Sequence, residues 1–319
     1  MLILMIYFVS YNFFNSIYIC IINIVQSFID VGCLKFSIIL TKKNRSYSTT
    51  SETLREVSFN FKEFTKHHHH IYPIWLQWFI GFTEGDGSIL TDKLGGISFV
   101  ITQNESKILY KIKENLGFGS VKYDKSNKTY RFKVLDLPSL IKLTYLFNGN
   151  LFLLHRINQL EKWIEVLNSK SINIVHKNTK VKISLQDGWL SGFADAEGCF
   201  NVNIFKNWRY VLGVRTKLRF ILDQNDKLAL ESIRDLFLSG NVSARSNNTF
   251  RFTAESFSKL NPIIEYFNMF PLRSFKKEAF KKWFNIYSMM LDKKHLDEKG
   301  IVKIKLLAKL VNDKTNLNS

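Results

Sequence analysis

One phrase occurs twice in this chain, and it limits the possible folds more than any other feature. Phe79-Ile80-Gly81-Phe82-Thr83-Glu84-Gly85-Asp86-Gly87 recurs 111 residues later as Leu190-Ser191-Gly192-Phe193-Ala194-Asp195-Ala196-Glu197-Gly198. Each copy sets small residues four apart on a helix face, Gly81 with Gly85 and Gly192 with Ala196, and Gly188 lies one turn earlier. Two helices with such faces can approach until their backbones touch, because no side chain stands between them. Each copy then places an acid, Asp86 or Glu197, just before a glycine suited to a left-handed C-terminal cap. A helix C-terminus already carries partial negative charge, so an acid there is locally unfavourable. Paired helices would bring two such acids together, and a divalent cation is the natural counter-charge.

The separation of the copies is a typical domain length, so 319 residues divide into two units of ordinary size. The formal net charge of +18 points to a polyanionic partner, and the apolar content is too high for a disordered basic tail. Cys20, Cys33 and Cys199 lack metal-ligand spacing and are odd in number, which argues against a disulfide framework or a zinc site. Residues 1–40 form an apolar leader or exon-derived segment, long enough to span a bilayer and without the basic start of a secretory signal. Residues 41–71 read as a linker, with His67 to His70 a solvated low-complexity run at its end. The usage of Phe, Ile, Asn, Lys and Tyr fits an AT-rich genome, such as that of a mitochondrion or plastid.

From Tyr72 onward the chain repeats itself, giving a first unit over 72–175 and a second over 176–319. Phe99 to Glu105 matches Phe220 to Asp226 at an offset of 121, and Thr129 to Phe132 matches Thr249 to Phe252 at 120. Trp163 matches Trp283. Periodicity gives each unit the order α-β-β-α-β-β-α, an α+β fold with antiparallel sheets. One face of the predicted strands is apolar, and the other carries Arg131, Lys133, Asn201, Asn203, Arg215, Lys217, Arg219, Arg245 and Arg251. A two-stranded ribbon fits the major groove of DNA, and these side chains match base edges and phosphates.

The doubled motif, the repeat and the tail from His295 to Asn312 resemble the LAGLIDADG homing endonucleases in their single-chain, two-motif, organellar intron-encoded form. The resemblance implies two pseudo-symmetric units whose sheets form a DNA-binding saddle around the packed motif helices. It implies that Asp86 and Glu197 bind divalent metal, normally Mg²⁺, and that Glu84 and Asp195 cap or brace the helices. It also implies that Gln103 and Gln224 reach the water network and that Lys276 and Arg156 approach the scissile phosphates. The expected activity is site-specific cleavage of double-stranded DNA at a long asymmetric site, by a monomer in the mitochondrion, promoting intron homing. A second class of function is an RNA maturase assisting splicing of its host intron. A third, a membrane-anchored structural protein, rests only on residues 1–40.

Overall fold

The computed structural model describes residues 55–68 and 71–313. The apolar stretch 1–40, Cys20, Cys33, His69 and His70 lie outside the described residues. Among the described residues, no helix is long and apolar enough to cross a membrane.

A short strand β1 (Arg55–Val57) and helix α1 (Lys62–His67) precede the first unit. That unit runs α2 (Pro73–Asp86), β2 (Gly87–Thr91), β3 (Ile97–Gln103), α3 (Ser106–Leu116), β4 (Ser120–Asp124), β5 (Thr129–Val134), α4 (Leu137–Phe147) and α5 (Leu154–Ser169). After β6 (Thr179–Val181) come α6 (Trp189–Glu197), β7 (Gly198–Lys206), β8 (Val214–Gln224), α7 (Lys227–Phe237), β9 (Asn241–Ala244), β10 (Phe250–Ala254), α8 (Asn261–Met269) and α9 (Lys276–Leu291). Helix α10 (Glu298–Leu310) follows the second unit. The sheets have the same strand order, β2-β3-β5-β4 and β7-β8-β10-β9, and every pairing within them is antiparallel.

The two cores are packed alike, as duplication requires. Phe99 meets Phe132 and Phe147 at ring-centroid distances of 6.3 and 5.7 Å, and Phe220 meets Phe252 and Phe267 at 6.2 and 5.3 Å. Ile108, Leu109, Ile112 and Leu116 are the buried stripe of α3, and Ala229, Leu230, Ile233 and Phe237 occupy the same positions on α7. The Trp163 indole donates to the Leu90 carbonyl at 2.7 Å, and that of Trp283 to Asn201 at 3.2 Å. The offset grows from 111 to 121 within one hairpin, since Gly198 to Gln224 is ten residues longer than Gly87 to Gln103.

Helices α2 and α6 pack through their glycines. A Cβ at Gly81 would lie 2.0 Å from the Trp189 carbonyl oxygen, and one at Gly192 would lie 1.8 Å from that of Trp78. At Gly85 a Cβ would lie 2.3 Å from the Ala196 Cβ. The expected left-handed caps at Gly87 and Gly198 are corrected by the structure, which holds both extended at φ −79° and −78°. Glycine is needed there for space, because a Cβ would lie 2.6 Å from the Thr83 oxygen or 2.5 Å from that of Ala194. A left-handed cap occurs instead after α3, at Gly117 with φ 70°.

The linker expected through residue 71 is also corrected. Strand β1 pairs in parallel with β6, Phe64 on α1 is fully buried, and the Asn60 backbone exchanges two hydrogen bonds with the Asn150 side chain at 2.7 and 2.8 Å. His68 stacks on Phe64 at 4.8 Å and contacts the Leu116 carbonyl through Nε2 at 2.6 Å, so it is not a solvated histidine. Short pairings across more than 100 residues leave no periodic signal that a sequence reading can detect.

Gly192→Ala forces the central helices apart and is expected to destabilise the protein by about 3 kcal/mol in denaturant titration. Phe64→Ala is expected to cost about 3 kcal/mol in the same experiment, a loss that a mere linker residue would not produce.

Candidate active site at the paired motif helices

The close approach sets two acids of each motif to different tasks. Glu84 is fully buried and accepts from the backbone N–H groups of Phe152 and Leu153 at 2.8 and 2.6 Å, and from the Trp189 indole at 2.6 Å. Asp195 accepts from the backbone N–H groups of Arg273 and Ser274 at 2.7 and 3.1 Å, and from the Trp78 indole at 2.8 Å. Each motif helix thus sends an indole to the other helix's buried acid, and each acid also holds the entry to α5 or α9. Burial drives the Glu84 carboxyl up to about 7 and raises that of Asp195. The tryptophans were legible as a repeat, since Trp78 and Trp189 are also 111 apart, but an indole donor has no signature in a motif of acids and glycines.

Two residues further on, Asp86 and Glu197 end their helices side by side. A Cβ on Gly85 would lie 3.2 Å from the Glu197 Cγ, so the Glu197 side chain runs along the end of the facing helix. Burial raises both carboxyls, and the charge of Asp86 adds to the rise at Glu197, which reaches about 7. The Gln103 amide donates to Asp86 Oδ2, and the Gln224 amide to Glu197 Oε1 at 3.4 Å. The structure therefore brings the four residues together in pairs, one from each unit.

Arg156 and Lys276 sit at the same helix ends in equivalent roles. Arg156 Nε and Nη2 each donate to the Glu84 carbonyl at 3.1 Å, and Nη2 also to Gly85 at 3.3 Å. Lys276 Nζ donates to the carbonyls of Ala194 and Ala196 at 3.2 and 2.6 Å. These cations donate to terminal carbonyls, of which that of Ala194 also accepts from the Gly198 backbone N–H, and they oppose the negative end of each helix dipole. Burial lowers the affinity of both for protons, while the surrounding carboxylates oppose that shift. Beside them, Asp86, Gln103, Asn104 and Lys276 border a cleft of about 250 Å³.

Among the described residues, no group of three or more His, Cys, Asp or Glu side chains is placed to hold a metal. Asp86 and Glu197 still suit one class of cation. Mg²⁺ is bound by one or two carboxylates with the remaining positions left to water and phosphate oxygens, and these donors are hard oxygens of that kind.

The polar residues singled out on the strands share faces as alternation requires. Arg131 and Lys133 lie opposite the buried Phe132 and Val134, while Asn201 pairs with Arg219, Asn203 with Lys217, and Arg251 with Ser243 across the second sheet. Arg245 continues that face beyond β9. Several are held by neighbours on the sheet. Arg131 contacts Asp124 at 2.8 Å, Lys217 contacts Glu255 at 2.7 Å, and Arg251 contacts Asp223 at 2.5 Å. Arg219 donates twice to Asn201, at 2.7 and 3.0 Å. Asn203, Arg215 and Arg245 are exposed.

Two αββαββα units joined through paired helices, with acids at the helix ends and basic sheet faces, define a two-motif, pseudo-symmetric α+β fold. The chain matches the LAGLIDADG endonuclease family over residues 79–167 and 190–287, and it belongs to that family. It is 38% identical over 236 residues to a probable intron-encoded endonuclease 4 of Neurospora crassa, covering 72% of this chain and 43% of that protein. It is 26% identical over 265 residues to the intron-encoded RNA maturase bI4 of Saccharomyces cerevisiae, covering 76% of this chain and 40% of that one. The chain thus spans less than half the length of these two relatives. Its fold is that of the I-LtrWI LAGLIDADG homing endonuclease bound to target DNA, with a TM-score of 0.60, 23% identity, and coverage of 77% of this chain and 99% of the other.

The raised carboxyl of Glu197 carries a stability consequence. Between its ordinary 4.5 and about 7, the folded chain retains a proton that the unfolded chain has lost, so stability falls as pH rises through this window. Glu197→Gln removes the buried charge and is expected to stabilise the metal-free protein by about 2 kcal/mol at pH 8. The gain should vanish near pH 4.5, and thermal melts at the two pH values measure the difference.

Proposed function

We propose that this chain is a site-specific double-strand DNA endonuclease that uses divalent metal between its two units and promotes intron homing. The observation that carries the reading is the pair Asp86 and Glu197, both present, both half-buried and each supported by a glutamine of its own unit. These two carboxylates would hold the ion, with Mg²⁺ the cation their donor set fits. When bound, such an ion stabilises charge on a phosphate and makes a coordinated water more acidic. Gln103 and Gln224 orient the carboxylates and reach toward the attacking water. Lys276 and Arg156, anchored at the same helix ends, place positive charge where a scissile phosphate would come to rest.

Both units lie in one chain, so the protein acts as a monomer on a long and imperfectly symmetric duplex. The nine polar side chains on the strands contact its bases and phosphates, and Arg131, Lys217, Arg219 and Arg251 exchange their present partners on the sheet for DNA. The intron-encoded relatives and the AT-rich residue usage support work in the mitochondrion, on a gene that the host intron interrupts.

The relative named as an RNA maturase supports a second reading, assistance in splicing the host intron. The two are separated by one variant. Wild-type protein is expected to cut duplex DNA spanning the intron-less insertion site with Mg²⁺, and Asp86→Asn or Glu197→Gln to lower the rate at least about 1,000-fold with binding retained. If the wild type binds this DNA and never nicks it with Mg²⁺ or Mn²⁺, the nuclease reading fails. Stimulated splicing of the intron RNA that survives Asp86→Asn establishes the maturase. Binding should weaken with salt at a log–log slope near −5, corresponding to about six neutralised phosphates.

A further inference from the structure

The ten-residue difference between the units is confined to one hairpin, and its chemistry is not shared. The β2–β3 ribbon has five paired positions, from Gly87 opposite Ile101 to Thr91 opposite Ile97. The β7–β8 ribbon has nine, from Gly198 opposite Leu222 to Lys206 opposite Val214. With Gly87 and Gly198 aligned, the four added pairs begin at Asn203 opposite Lys217 and include Phe205 opposite Arg215. At about 3.3 Å per residue they extend the ribbon by roughly 13 Å, which matches up to about four base pairs along a duplex.

The two tips differ in charge, although Asn207 Oδ1 accepts from the Arg209 backbone at 3.1 Å much as Asp92 does in the first unit. In the first unit Asp92 closes the turn on itself, with Oδ1 accepting from the backbone of Leu94 and Gly96 at 2.8 and 2.7 Å. In the second unit, residues 203–217 contain Lys206, Arg209, Arg215 and Lys217 and no acid. Trp208 at the tip is 86% exposed, with the Arg209 guanidinium 5.5 Å from its ring and that of Arg215 6.0 Å from the Tyr210 ring. An exposed indole flanked by cations presents an aromatic face that a partner can cover. Cations interleaved with aromatic rings suit phosphates and sugar or base faces.

We propose that the two units read half-sites of unequal length, and that the β7–β8 extension with its Trp208–Arg209 tip reads up to about four base pairs beyond the reach of β2–β3. Asn203, Lys217 and Arg215 lie on the same polar face as Asn201 and Arg219, so the extension continues one reading surface outward. Specificity at the far end of the longer half-site depends on these residues, none of which touches the acids. The inference rests on the endonuclease reading.

A library of duplexes with randomised flanks, selected by cleavage with Mg²⁺ and sequenced around the cut, measures each arm directly. The expected result is a longer run of selected positions on one side of the cut, by about three to four base pairs. Trp208→Ala with Arg209→Ala should erase the outermost of those positions and weaken binding of the selected duplex about tenfold. Cleavage of duplexes lacking the outer positions should stay within about twofold of wild type at saturating protein. Both residues are on the surface, so folding is preserved. Arms of equal length, or a long arm unchanged in the double variant, overturn the assignment while leaving the nuclease intact. A library that is never cut removes the endonuclease reading and this inference with it.

Discussion

The reciprocal exchange between Trp78 and Asp195 and between Trp189 and Glu84 is the interaction on which the rest of the structure depends. A buried carboxylate is costly unless its oxygens are satisfied, and here each accepts from an indole across the seam and from backbone N–H groups of its own unit. One side chain therefore ties together both motif helices and the entry to α5 or α9 of its own unit. The exchange works only at backbone contact distance. Any side chain at Gly81 or Gly192 would hold the helices too far apart for the indoles to reach.

The geometry of the candidate site follows from that contact. Asp86 and Glu197 stand two residues beyond the bracing acids, so the helix pair sets where they end. Placing acids at the negative end of two helix dipoles is unfavourable on its own, and Arg156 and Lys276 offset it by donating to the terminal carbonyls. The raised carboxyl of Glu197 reflects what remains uncompensated, namely burial and the charge of Asp86. Under the proposed endonuclease function, a divalent cation and an incoming phosphate would complete the charge pattern there.

The duplicated units have diverged where the central contact does not constrain them. Glu105 accepts from the Phe275 backbone at 2.8 Å in the other unit, while its counterpart Asp226 caps its own helix by accepting from Ala229 at 3.1 Å. Tyr266 donates from its hydroxyl to the Asp187 carbonyl at 2.8 Å, where the first unit has Leu146. The hairpins differ most, since ribbon length can change without disturbing the core beneath. A pseudo-symmetric scaffold thereby acquires an asymmetric surface.

Much of this was legible in the residues. The doubled phrase, the alternation around Phe132 and Phe252 and the equivalent stripes of α3 and α7 gave the element order, the duplication and the pairing of Asp86 with Glu197, because all are periodic or repeated patterns. The extended Gly87 and Gly198, the docking of residues 55–68 and the indole exchange were not legible. A glycine does not reveal whether it serves conformation or space, and a strand of three residues gains its meaning only from a partner more than 100 residues away. Sequence by itself determined that two like halves must meet through helices without side chains between them. Tertiary structure decided which groups satisfy Glu84 and Asp195 and how far burial raises the carboxyls of Asp86 and Glu197, because both depend on neighbours brought together by folding.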